Sequence, residues 1–147
     1  MTDSGDSYSR TAEVDGVVEQ VRAWVLGRRD VLALALAGSW ARGDARADSD
    51  VDLVVLTADP DAYLGGAWLA SAVDPAADIR TRRWGPLLER RFRLPSGLEV
   101  ELGFAPVGWA AVPADPGTAR VVSEGFVVLH DPSGLLERLV RAVARES

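Results

Sequence analysis

The sequence contains no cysteine and no lysine, and each absence excludes a class of chemistry. Without cysteine the chain has no disulfide framework, no thiol nucleophile and no cysteine zinc site. Without lysine it has neither a Walker-type phosphate loop nor a Schiff-base mechanism, because both need an amine. All 16 basic residues are therefore arginines. The single histidine, His130, has no second histidine to pair with, and we assign it no role.

Long apolar runs and an excess of positive charge are also missing. No apolar run approaches the roughly 20 residues of a membrane span, and the N-terminus lacks the basic and then apolar pattern of a secretory signal. The formal net charge of −6 argues against general nucleic-acid binding, which depends on neutralising phosphates. We therefore expect a cytoplasmic protein with no membrane partner. Its 147 residues suit a single domain over residues 11–147, after a flexible polar segment at residues 1–10.

The most informative stretch runs from Gly38 to Leu56 and reads GSWARGDARADSDVDLVVL. It follows an apolar segment, residues 31–37, that has the length and composition of a buried strand, and Gly38-Ser39 is predicted to end that strand with a sharp turn. A second strand opens at Asp50, and because side chains alternate along a strand, Asp50 and Asp52 share one face. Two carboxylates one pleat apart suit Mg²⁺, which takes oxygen ligands and is often completed by substrate phosphates.

Gly38 and Ser39 are followed by a ten-residue spacer, positions 40–49, and then by Asp50-Val51-Asp52. This arrangement resembles the signature of the DNA polymerase β-like nucleotidyltransferase superfamily. The spacing, with Ala41-Arg42-Gly43 and Ser49-Asp50, is similar to its branch of minimal nucleotidyltransferases. The alternative is a solvated acidic loop around positions 47–50, and the Gly-Ser pair after an apolar strand weighs against it.

The resemblance implies an activity and a set of site residues. Relatives transfer a nucleoside monophosphate from a nucleoside triphosphate, here expected to be ATP, to a hydroxyl group and release pyrophosphate. Asp50 and Asp52 would hold two Mg²⁺ ions, for which Mn²⁺ could substitute. The expected nucleotide-binding residues are Gly38, Ser39, Arg42 and Ser49. For Arg42 the alternative is an ordinary surface arginine.

The expected fold class is α/β (α+β), and the resemblance implies a nucleotidyltransferase, polymerase β palm-like fold. We expect a mixed sheet with helices on one face and an open, charged cleft on the other. The spacing of apolar residues and turn residues predicts helices over residues 11–27, 62–73 and 118–123 and from Leu135 onward, with further strands over 78–84, 87–94, 98–105 and 126–130.

A third carboxylate is expected on the hairpin formed by residues 87–94 and 98–105. Its alternation places Arg91, Arg93, Glu99 and Glu101 on one face. The resemblance implies an acidic residue on a strand next to the Asp-x-Asp strand. Glu101 is favoured as catalytic residue and metal ligand, with Glu99 in reserve. Alternatively, Arg93 faces Glu99 and Arg91 faces Glu101 in cross-strand ion pairs.

The acceptor of the transferred group is not indicated by any motif, and there is little chain for a second lobe. The arginine-rich segment of residues 80–93, with Trp84 among the charges, could form an interface. We therefore expect a homodimer or a complex with a protein acceptor. The alternative is a solvated hairpin face with local ion pairs to Glu89, Glu99 and Glu101.

Two other functions stay open. Small members of the branch are often antitoxins paired with a helical HEPN-type toxin, and a non-catalytic binding protein on the same scaffold is possible, although the full acidic set speaks against it. An aminoglycoside- or lincosamide-type antibiotic nucleotidyltransferase would need an acceptor domain that is not evident.

Overall fold

The computed structural model describes residues 2–146, apart from the side chains of residues 2–8 and Asp78. The helices are α1 (Thr2–Leu26), α2 (Gly38–Arg42), α3 (Leu69–Ala72), α4 (Pro116–Ser123) and α5 (Leu135–Glu146). The strands are β1 (Val31–Ala37), β2 (Val51–Thr57), β3 (Ala77–Trp84), β4 (Leu87–Arg93), β5 (Glu99–Ala105) and β6 (Phe126–His130). Two 3₁₀ turns lie at Pro60–Tyr63 and Val107–Ala110.

The six strands form one sheet in the order β3-β4-β5-β2-β1-β6. Strands β2 and β5 are parallel, and every other neighbouring pair is antiparallel. The predicted mixed sheet is therefore confirmed. The parallel pair brings the strand that follows Asp50 beside the strand that carries Glu101.

Helices pack on both faces of this sheet. On one face α1 and α3 cover a core that includes Val21, Leu53 and Phe104. On the other face α4, α5 and the turn at Val107–Ala110 cover the end of the sheet formed by β1 and β2, around Ala35 and Leu56. The prediction of helices on one face is corrected here, because the buried apolar stripe of α5 needs a surface and the small alanines of β1 provide one. The β4 and β5 end of that face carries charged side chains.

The predicted strands are all present, although β2 begins at Val51 and Asp50 lies just before it rather than inside it. Strands β1 and β6 have the predicted bounds, and the β4–β5 hairpin pairs Arg91 with Glu101 and Arg93 with Glu99. The apolar side of this hairpin, which includes Phe92 and Val100, is buried in the core. Local alternation was sufficient to set this register because one face is buried and a one-residue slip would expose it.

The single helix predicted over residues 62–73 is wrong. The segment contains a 3₁₀ turn and the four-residue α3, separated by Gly65 and Gly66, and glycine disfavours a helix interior. Side chains take the carbonyls that a helix would use. Arg90 Nη1 donates to the carbonyls of Tyr63, Leu64 and Gly65, and Trp68 Nε1 donates to those of Tyr63 and Gly65.

Helix α1 begins at Thr2, earlier than the predicted start at residue 11. The predicted flexible segment, residues 1–10, includes Met1 and side chains that lie outside the described part, so its flexibility stays a prediction. Within residues 2–146, no helix combines the length and the apolar composition needed to cross a bilayer.

Candidate active site

The turn that leads from β1 into α2 is shaped by Gly38. Its φ is +76°, a conformation that favours glycine, and its N–H donates to the Gly125 carbonyl at 3.1 Å. A Cβ atom at this position would lie 2.7 Å from Oδ2 of Asp52. Glycine is therefore required both by the backbone angle and by the close approach of the Asp52 carboxylate.

The side chains that follow Gly38 hold the spacer in place. Arg42 pairs with Asp44 at 2.8 Å and donates to the Glu124 carbonyl. The Ser49 hydroxyl accepts from the backbone N–H of Arg46 at 2.8 Å. These contacts show how the loop is fixed, whereas the predicted nucleotide-binding roles of Ser39, Arg42 and Ser49 stay predictions.

The parallel pairing of β2 with β5 places Asp52 beside Glu101. Burial raises the pKa of Asp52, the hydrogen bond with Glu101 opposes this rise, and the nearby charge of Asp50 adds to it. Burial also raises the pKa of Glu101. The two carboxyl groups lie within hydrogen-bonding reach of each other, and their like charges disfavour the ionisation of both at once.

A third half-buried acid, Glu89, joins this cluster from β4. Burial raises its pKa, and the hydrogen bond with Glu101 raises it further. Its Oε1 accepts from the indole N–H of Trp84 at 2.7 Å. Sequence reasoning treated Glu89 only as an ion-pair partner, although it stands two residues before Arg91 and shares the same strand face.

Arg91 links the acidic side chains of this face. Its guanidinium lies 2.7 Å from Asp50, 3.2 Å from Glu99, 3.3 Å from Glu101 and 4.0 Å from Glu89. In the part of the chain that the structure describes, no group of three acidic, cysteine or histidine side chains is spaced to hold a metal ion. Arg91 contributes to this absence because the Asp50 carboxylate is bound in an ion pair with it.

Glu99 has a different environment from Glu101. Hydrogen bonds from Arg93 first, and then from Arg91 and Arg80, lower its pKa to about 2 against the opposing effect of burial. The Arg93 and Arg80 distances are 2.6 and 2.7 Å. Glu99 therefore has the cross-strand ion pairs that the sequence analysis considered as an alternative.

A cavity of about 420 Å³ opens next to the carboxylates. Its lining includes Gly38, Asp52, Glu89 and Glu101. Residues of α4 and Trp109 of the turn at Val107–Ala110 also line it. The acidic cluster is thus reachable by a molecule of substrate size.

Residues 18–94 match the protein family described as the nucleotidyltransferase domain. The chain belongs to this family. The matched segment contains Gly38, Ser39, Asp50 and Asp52 and ends before Glu101, so the assignment of Glu101 depends on its place beside Asp52 rather than on the match. The predicted resemblance and the nucleotidyltransferase fold class are confirmed.

Comparison with solved structures finds a nucleotidyltransferase-like protein from Exiguobacterium sibiricum 255-15, at 16% sequence identity and a TM-score of 0.49. The alignment covers 88% of this chain and 38% of that protein, so this chain spans well under half of the other protein's length. None of the curated proteins compared with this chain matches it.

Proposed function

We propose that this domain transfers a nucleoside monophosphate from a nucleoside triphosphate, ATP in the first instance, to a hydroxyl acceptor. Asp50, Asp52 and Glu101 would hold the divalent cation, Mg²⁺ or Mn²⁺, that accompanies the nucleotide. The observation that carries the proposal is the pair Asp52 and Glu101, side by side on parallel strands and directly against the Gly38 turn.

The donor set fits a hard divalent cation. Carboxylate oxygens are the ligands that Mg²⁺ prefers, and burial raises the pKa of both Asp52 and Glu101, so a bound cation would stabilise their charged forms. Asp50 would join the set by leaving Arg91, with which it now pairs at 2.7 Å. A bound divalent cation would lower the pKa of the acceptor hydroxyl and offset charge developing at the α-phosphoryl group.

The residues of the chain have separate tasks in this proposal. Gly38 allows phosphate to approach the backbone, and the Ser39 hydroxyl and Arg42 guanidinium bind the phosphate oxygens. The acceptor oxygen forms a bond to the α-phosphorus while the bond from that phosphorus to the pyrophosphate oxygen breaks. The hydroxyl proton passes to the Glu101 carboxylate, which is the general base.

The binding part of the proposal is tested by calorimetry with ATP and GTP, with Mg²⁺ and then with a chelator. Binding is expected only with the cation, because Mg²⁺ uses substrate phosphates to complete its coordination. Asp50→Asn and Asp52→Asn are expected to remove the cation dependence. Asp48→Asn, an exposed change in the same loop, is the matched control and should bind as the unaltered protein does. Equal nucleotide affinity in the chelator would contradict the proposal.

A second candidate function is transfer to a partner protein, for example to a toxin if the domain is an antitoxin. The domain would alternatively act as a homodimer. The edge strand β3 favours it, because Trp84 is 55% exposed there and Arg82 stacks on its ring at 5.2 Å. Exposed tryptophan and arginine are common at the centres of interfaces. Mass measurement in solution, alone and with the product of a neighbouring gene, distinguishes a larger assembly from a monomer.

A further inference from the structure

Helix α2, which carries the residues proposed to bind phosphate, cannot fix its own position. It has only five residues, whereas an isolated helix shorter than about 12–15 residues is marginal in water. Among the described residues no side chain caps its N-terminus, and none of the five helix residues is buried. The place of α2 must therefore be set by the elements that it touches.

One of these elements is the turn between α4 and β6, formed by residues 124–125. The Gly125 carbonyl accepts from the backbone N–H of Gly38 at 3.1 Å, and the Glu124 carbonyl accepts from Nη1 of Arg42. Gly38 and Arg42 are the first and last residues of α2, and both are proposed to act on phosphate. The 124–125 turn therefore holds α2 at both of its ends.

The backbone of this turn lies closer to α2 than a side chain would allow. A Cβ atom on Gly125 would lie 2.6 Å from the carbonyl oxygen of Gly38 and 3.2 Å from the backbone nitrogen of Arg42. Both are backbone atoms, which cannot rotate away as the end of a side chain can. The φ of Gly125 is +125°, which also favours glycine. The contact between the turn and α2 therefore depends on glycine at position 125.

A second contact ties α2 to the strand with the carboxylates. The indole N–H of Trp40 donates to the carbonyl of Ser49 at 3.1 Å, and Ser49 directly precedes Asp50. Helix α2 is thus held between the 124–125 turn and the start of β2. A shift at the turn would change the distance from the phosphate-binding residues to the carboxylates, and a misplacement of about 1 Å can cost a hundredfold in rate.

We propose that the 124–125 turn is a positioning element of the nucleotide site. This inference rests on the proposed function. The turn acts through Gly38 and Arg42, which it holds at the spacing that the triphosphate needs. The segment that matches the family ends at residue 94, so the match assigns no role to Glu124 or Gly125. The nucleotide site would consequently depend on the C-terminal part of the chain.

Gly125→Ala tests the contact. To restore an ordinary contact of 3.4 Å, the turn and the Gly38 carbonyl must separate by about 0.8 Å (3.4 − 2.6). In calorimetry with Mg²⁺, the affinity for ATP is expected to fall at least about tenfold, because losing one hydrogen bond to a charged group weakens binding by about that factor.

Gly134→Ala is the matched control, from the turn at the other end of β6. Gly134 has a φ of +75°, but a Cβ atom there would meet nothing within 4 Å. Backbone strain should lower the thermal midpoint of this variant by about 2–8 °C and leave its affinity for ATP unchanged. Gly125→Ala should lower the midpoint at least as much and should also lose affinity.

Fluorotryptophan NMR measures the displacement of α2 without nucleotide. The chain has five tryptophans, and Trp40→Phe identifies the signal of Trp40. Gly125→Ala should shift this signal because Trp40 moves with α2. Gly134→Ala should leave it in place.

A further measurement uses the unaltered protein and does not depend on the folding of a variant. The amide groups of Gly125 and Phe126 share peptide units with the carbonyls that bind α2, so their NMR signals report changes at those carbonyls. Saturation with Mg²⁺ and ATP should shift both signals. The amide signal of Leu135, which shares a peptide unit with the Gly134 carbonyl, should not move.

Three results would overturn the inference: equal ATP affinity of the folded Gly125→Ala variant and the unaltered protein, an unmoved Trp40 signal in that variant, or amide signals of Gly125 and Phe126 that Mg²⁺ and ATP leave unchanged. An equal loss of affinity in Gly134→Ala would also overturn it, because strain alone would then explain the effect. Absence of Mg²⁺-dependent ATP binding by the unaltered protein would instead refute the proposed function, and the Trp40 signal would still decide whether the turn positions α2.

Discussion

Gly38→Ala is the substitution whose effect the structure defines most sharply. The new Cβ atom would lie 2.7 Å from Oδ2 of Asp52, whereas ordinary contacts begin at 3.4 Å, so the carboxylate must move by about 0.7 Å (3.4 − 2.7). The φ of +76° adds a backbone cost of about 1–2 kcal/mol for a residue with a side chain. Because a misplacement of about 1 Å at a reacting centre can cost a hundredfold, we expect a loss of transfer activity between about tenfold and a hundredfold.

Gly43→Ala is the control that separates backbone strain from displacement of the Asp52 carboxylate. Gly43 has a φ of +87°, but a Cβ atom there would meet nothing within 4 Å. Gly43→Ala should lose about 1–2 kcal/mol of unfolding free energy in urea denaturation, and Gly38→Ala should lose more, because the Asp52 carboxylate must also move. Only Gly38→Ala should also lose Mg²⁺-dependent nucleotide binding in calorimetry.

A double-mutant cycle checks the proposed clash. In an Asp52→Ala background the obstructing oxygen is gone, so adding Gly38→Ala should cost no more stability than Gly43→Ala does. Full nucleotide binding by Gly38→Ala would refute the reasoning. So would an identical loss of binding in Gly43→Ala, because strain alone would then explain the effect.

Three further predictions concern the carboxylates. Glu101→Gln should reduce the transfer rate by about a hundredfold or more without lowering the thermal midpoint. Glu99→Gln should keep the activity and lose about 1 kcal/mol of unfolding free energy. Similar, mild effects of both substitutions would indicate that both residues act only in ion pairs. Since the pKa of Glu99 is lowered to about 2 from 4.5, its stabilisation is complete above pH 4.5 and is lost as the pH falls through about 2. Urea denaturation should therefore show that the difference in unfolding free energy between the unaltered protein and Glu99→Gln shrinks across that range. A constant difference would contradict the lowered pKa of Glu99. The pKa of Asp52 is instead raised above 3.8, so its ionisation destabilises the fold as the pH rises, and Asp52→Asn should raise the thermal midpoint at pH 7 but not at pH 3; a lowered midpoint at pH 7 would contradict this.

The strands could be predicted from the sequence because their signals are local. The bounds of β1 and β6 follow from short apolar runs between turn residues, and the hairpin register follows from the alternation that buries Phe92 and Val100. The Gly38 turn was also predicted, since only a glycine combines a sharp turn with close approach of another group.

The errors have long-range causes. The helix expected over residues 62–73 is interrupted partly by Arg90, a side chain from a later strand that binds its carbonyls. The acidic cluster predicted from the sequence lacked Glu89. The place of Glu89 in the cluster depends on its contact with Glu101 on a neighbouring strand, and no sequence motif indicates it. Similarly, the pairing of Arg91 with Asp50 joins residues 41 positions apart, and no local pattern indicates it.

The most direct test of the central claim is the product released from a labelled nucleotide. ATP labelled at the α- and γ-phosphates is incubated with Mg²⁺ and an extract that supplies both small-molecule and protein acceptors. The account predicts that the unaltered protein and Asp48→Asn release pyrophosphate and leave the α-label on an acceptor, and that Asp52→Asn does so at least about a hundredfold more slowly. Release of orthophosphate, or equal rates with Asp52→Asn, would contradict it.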